Sequence, residues 1–137
     1  MLSVQEIYKN NSFVQEEFEN IDINPLLSYK IGSSNAVMYA VLLKLDKVYR
    51  KTGKLNCNEE FACSHGTINK MSGLKRGAIQ TSIKCLTDLK LIESRVDSTS
   101  KSNVKTTHFK INQDSNVLNE LILQAYEDLT GYKAVRE

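Results

Sequence analysis

Few of the residue types that do covalent or acid–base chemistry are spaced to do it together here. Cys57, Cys63 and His65 form a C-x5-C-x-H run. A zinc site is built from closely spaced ligand pairs, usually four ligands in all. The C-x2-C pair is missing, and His108 is the only other histidine. With Cys85 the cysteines number three, so they cannot all pair within one chain. Scattered thiols of this kind fit a reducing compartment. Glu16-Glu17 and Glu59-Glu60 are adjacent pairs, which on a helix point to different faces instead of converging as acid and base. P-loop, GxSxG, HExxH and CxxC motifs are all absent from the sequence. Neither catalysis nor a metal or other cofactor is expected.

The remaining chemistry is cationic and hydrogen-bonding, and it is concentrated in GLKRGAIQTSIKCLTDLKLIESR, residues 73–95. Ile79, Ile83, Leu86 and Leu89 recur at the spacing of one helical stripe. Arg76, Gln80, Thr81 and Lys84 fall on the other side, with Lys75 just ahead of them. Arginine can pair bidentately with guanine and glutamine with adenine, whereas lysines suit phosphates. Arg95, Lys101 and Lys105 follow in the next segment. Residues 66–110 hold nine basic and three acidic side chains, and 1–32 and 111–137 each hold two basic and five acidic, within a total of +2. A basic helix face alone is usually just solvated; a basic block between acidic ends points to a local anionic partner.

These residues need a scaffold. A chain of 137 residues with 41% hydrophobic and 25% charged residues fits one soluble domain. Its mean hydropathy is negative. No apolar run approaches the roughly 20 residues of a membrane helix. The start, MLSVQEIYKN, lacks a signal-peptide layout, so a cytoplasmic protein is expected. Residues 4–20 have partly helical spacing interrupted at Asn10-Asn11-Ser12, giving one helix or two short pieces. IDIN, before Pro25, alternates like a short strand, and PLLSY begins a helical turn. A helix is expected over 34–51, with Gly32 as the break, Ser33-Ser34 as the N-cap and Thr52-Gly53 as the stop. A short strand near Phe61–Cys63 precedes a Ser64-capped helix over 65–72, ended by Gly73 in a left-handed turn. A helix over 75–89 leads into a hairpin over 91–111 with the polar tip TSKSNV. A last helix over 114–130 carries Val117, Leu118, Leu121, Ile122, Ala125, Tyr126 and Leu129. Tyr39, Tyr49 and Phe61 are assigned to the core.

In this order, the segment TINKMSGLKRGAIQTSIKCLTDLKLIESR resembles a winged helix-turn-helix domain. Gly73-Leu74 match the turn, Ile79, Ile83 and Leu86 the core positions of the recognition helix, and Leu91-Ile92 the strand after it. The resemblance implies a mainly α fold with a small β-hairpin wing. The winged helix-turn-helix would occupy 33–112, with a helical extension over 1–32 and a C-terminal helix over 113–137. Upstream, IDINPLLSYKIGSSNAVMYAVLLKLDKVYRKTG is similar to the entry of plasmid replication initiators and phage replisome organisers, with Ile21-Asp22-Ile23-Asn24-Pro25 one residue longer than the family segment. The resemblance implies sequence-specific binding of double-stranded DNA, in replication initiation or transcriptional regulation. It carries the DNA-contact role to Lys75, Arg76, Gln80, Thr81, Lys84, Arg95, Lys101 and Lys105. The rival implication is a protein–protein module of a replication or transcription complex. The terminal helices are candidates either for homodimerisation or for packing on the first helix of the domain. One departure stands out: Lys75 occupies a position where the family often has a capping Ser or Thr. A lost cap costs about 1 kcal/mol, and Gly77 in the first turn up to about another 1 kcal/mol relative to Ala.

Overall fold

The computed structural model describes residues 21, 23–98 and 105–135. The one helix or two short pieces expected over 4–20, and the hairpin tip with Lys101, lie outside them. Helix α1 (Pro25–Ile31) is followed by α2 (Ser33–Lys51), strand β1 (Phe61–Cys63), α3 (His65–Ser72), α4 (Arg76–Asp88), β2 (Ile92–Ser98), β3 (Lys105–Ile111) and α5 (Asn116–Thr130). It is a mainly α fold carrying a small antiparallel sheet, a winged helix-turn-helix with flanking helices.

Two N-terminal expectations are corrected. Ile21, Ile23 and Asn24 do not form a strand: Asn24 is the N-cap of α1, its Oδ1 accepting the backbone N–H groups of Leu26 at 2.9 Å and Leu27 at 3.3 Å. Pro25 stands at the first helical position, where its missing N–H costs nothing. The cap outweighs a four-residue alternation. Ser33 and Ser34 do not cap α2 but lie inside it. Gly32 closes α1 through its N–H to Ser28 O and opens α2 by accepting from Ala36 N. Its φ of 95° and ψ of 150° belong to a region essentially reserved for glycine.

The core is one cluster. The α2 side chains Met38, Val41, Leu42 and Leu45 meet Ile68 of α3, Ile79 and Leu86 of α4, and Phe61, Ile92, Phe109 and Ile111 of the sheet. Each such buried side chain contributes about 1.5–3 kcal/mol. Tyr39 and Phe61 are buried, and Tyr49 packs on Phe61 with ring centroids 5.6 Å apart. The hairpin forms as expected, but β1 also joins it, giving a three-stranded antiparallel sheet of order β1-β3-β2. In register, Phe61 faces Phe109, Ala62 faces His108, and Arg95 faces His108 from the other side. Helix α5 packs along α1, with Lys30 Nζ 3.6 Å from Asp128.

Candidate nucleic-acid interface

Helices α3 and α4 are joined by a short turn that side chains hold in place. Ser64 caps α3, its Oγ accepting from Thr67 N at 3.1 Å. Gly73 ends the helix at φ 76°, ψ −1°, a left-handed conformation that costs glycine little. Ser72 Oγ donates to Ile68 O at 2.6 Å and accepts from Leu74 N at 3.0 Å. Asn69 Nδ2 donates to Leu74 O at 2.8 Å. Asn69 and Ser72 thus fix the angle at which α4 leaves; a serine and an asparagine near a glycine were the available sequence signal.

The stripe of α4 buries Ile79, Ser82 and Leu86 and half-buries Ile83 and Leu89. Arg76, Gln80, Thr81 and Lys84 are exposed on its outer side, with Lys75 exposed at the N-cap. Lys75 makes no side-chain cap, as expected. The first N–H groups of α4 therefore point outward without an intrahelical partner, a ready site for an anion. None of Lys75, Arg76 and Lys84 pairs with a carboxylate among the described residues. Thr81 Oγ1 donates to Gly77 O at 2.9 Å, which uses its only proton and leaves it an acceptor toward solvent.

Between α3, α4 and the wing runs a cleft of about 660 Å³. Arg76 and Gln80 line one wall, Ser64, His65 and Asn69 a second, and Val96 and Thr107 the third. Thr107 Oγ1 lies 3.4 Å from His65 Nε2. Val96 has the strand parity of the buried Ile92, yet it is 62% exposed because it runs past the core. His65, Asn69 and Val96 are wall residues that the sequence reading did not single out for this role. A cleft of similar size, about 640 Å³, lies at the other end of α4. Its rim mixes Lys90 and Lys110 with Glu59, Glu93 and Asp114, which does not suit a polyanion.

The wing residues separate. Lys105 pairs through its backbone with Ser98 at the end of the β2–β3 ladder. Arg95 does not join the α4 surface. Strand alternation turns it to the sheet face opposite the helices, where Glu60 grips it: Arg95 Nε donates to Glu60 Oε2 at 2.9 Å and Nη2 to Oε1 at 2.9 Å. Hydrogen bonds from Arg95 and Asn56 hold the Glu60 carboxyl at about 2, against an ordinary 4.5. Among the described residues no three His, Cys, Asp or Glu side chains gather as a metal site, and no helix is long and apolar enough to cross a membrane. Cys57 is exposed, Cys63 buried and Cys85 half-buried, all as free thiols.

No family model matches the chain, and no curated protein does. Among solved structures it is similar to one described as the N-terminal domain of a DNA binding protein, with 98% of each chain covered, a TM-score of 0.52 and 12% sequence identity. At that identity the likeness establishes a shared fold.

Proposed function

We propose that this chain binds double-stranded DNA in a sequence-specific manner through α4, in replication initiation on a plasmid or phage or in transcriptional regulation. The observation that carries the reading is the α4 face itself: Arg76 and Gln80, both exposed, line a cleft open toward the wing, with Lys75 and Lys84 exposed beside them. The described function of the structural neighbour supports it. Arg76 suits guanine and Gln80 adenine, while Thr81, left as an acceptor, suits the amino groups of adenine or cytosine. Lys75 and Lys84 hold phosphates, as do Lys101 and Lys105 on the wing.

Gel-shift titration at several salt concentrations tests this. Micromolar or tighter binding, falling steeply with salt and abolished by Arg76→Ala with Lys84→Ala, is expected; no binding at low salt refutes it.

A second reading rests on a different surface. Val117, Leu118 and Leu121 pack on the core, but Tyr126 and Leu129 of α5 and Tyr132 and Val135 after it are exposed. This apolar row favours a protein partner: a second copy of the chain, giving a homodimer through the terminal helices, or a component of a replication or transcription complex.

A further inference from the structure

Strand β2 is one edge of the three-stranded sheet, and its strand partner is β3 alone. Beyond the three residues of β1 the β2–β3 pair continues as a two-stranded ribbon, which is marginally stable and readily twists. Yet β2 carries Val96 to the cleft wall opposite Arg76 and Gln80. Whatever fixes β2 therefore fixes the width of the cleft.

A side-chain link crosses β3 to reach β2. Glu60 directly precedes β1, and Arg95 lies on β2, so the pair crosses the intervening strand, a span of about 10 Å at two ladder spacings. The guanidinium is gripped through both Nε and Nη2. Its anchor is itself held. Asn56 Nδ2 donates to Glu60 Oε1 at 3.0 Å, and Asn56 Oδ1 accepts the backbone N–H groups of Asn58 and Glu60, both at 2.9 Å. The Glu60 side chain is only 12% exposed. Isolated surface ion pairs contribute little, but a bidentate pair on a preorganised anchor is the exception.

We propose that Glu60 and Arg95 are positioning residues for nucleic-acid binding, forming a strut across the sheet that sets the wing against α4, with Arg95 held by Glu60 and not by phosphate. The proposal rests on the DNA-binding reading above. Loss of either end frees β2 to twist, so the wing must be ordered again on each binding event.

The test uses the full chain and its Glu60→Gln, Arg95→Ala and doubly substituted variants. Duplex affinity is measured across salt concentrations, and hydrogen exchange is followed in β2, β3 and α4. Each single substitution is expected to weaken binding about tenfold, the scale of one charge-assisted hydrogen bond. The double variant should be no weaker than either single one. The salt slope should be unchanged, and β2–β3 amides should exchange faster while α4 amides do not. Reversing the pair, Glu60→Arg with Arg95→Glu, should restore affinity. The strut is overturned if Arg95→Ala lowers the salt slope by about one while Glu60→Gln leaves binding equal or tighter, since Arg95 would then be a phosphate ligand. It is also overturned if both variants keep wild-type affinity and exchange. Failure of the wild type to bind DNA refutes the DNA reading and with it the strut's role in binding. The exchange data then still decide whether the pair holds the wing.

Discussion

At Lys75 the chain forgoes a side-chain cap where the turn geometry would accept one: the residue has φ −85° and ψ 167°, the extended conformation of an N-cap. Lys75→Ser should therefore stabilise the fold by about 1 kcal/mol in urea unfolding. If the cation serves phosphate, the same variant binds DNA more weakly and with a shallower salt slope. Unchanged affinity and slope would sink that role. Gly77 is a parallel case. A methyl group added there meets nothing within 4 Å, so Gly77→Ala should also stabilise, by up to about 1 kcal/mol. Both features were legible in the sequence, because a missing cap and a helical glycine are local. The donor role of Thr81 was not: its bond to Gly77 O depends on a rotamer that spacing does not specify. Nor was the engagement of Arg95, whose partner lies 35 residues away. A basic residue on a wing reads as a phosphate ligand until its strand parity and neighbours are known.

At the scale of elements, the stretch from Ser64 to Ile111 could be read closely because each boundary has its own chemical signal: a capping serine, a left-handed glycine, a switch from helical to alternating period. IDIN misled because alternation over four residues is weaker evidence than Asn24-Pro25 as cap and first helical position. The addition of β1 to the hairpin was not legible, since its pairing with β3 is non-local. Gly73 carries the turn between α3 and α4 at positive φ, so Gly73→Ala should destabilise by about 1 kcal/mol despite open space around it. The sheet should also respond to acid. The Glu60 carboxyl is held at about 2 in the fold against an ordinary 4.5. A group with a depressed folded value stabilises the fold above its unfolded value and loses that contribution as pH falls. The Arg95 guanidinium and the Asn56 amide, its main partners, do not titrate across this range. The contribution of Glu60 should thus be complete above about pH 4.5 and fade toward pH 2. Urea unfolding at stepped pH should show this fall in the wild type and a flatter profile in Glu60→Gln.

Over the whole molecule, charge and apolar surface separate. The basic block lies on α4 and the wing, while the segment containing α5 is acidic and carries exposed Tyr126, Leu129, Tyr132 and Val135. An acidic layer is repelled by DNA, so a partner docked there is better matched to protein than to nucleic acid. Two copies joined through it could each present an α4, and their half-sites would lie about one helical turn, roughly 34–36 Å, apart. On the proposed reading, with Arg95 held by Glu60 and Arg76 on guanine, four cations per copy are left for phosphates: Lys75, Lys84, Lys101 and Lys105. The salt slope of a single copy should then be about −3.6, and that of a bound dimer about twice as steep. Sedimentation of the wild type and of Leu129→Glu checks the first half of this. The wild type should sediment as a dimer and the variant as a monomer with an unchanged circular dichroism spectrum. Footprinting on a palindromic site checks the second, because a monomeric variant should protect one half-site with half the salt slope. A wild type that sediments as a monomer and protects only one half-site would assign the apolar row to another protein.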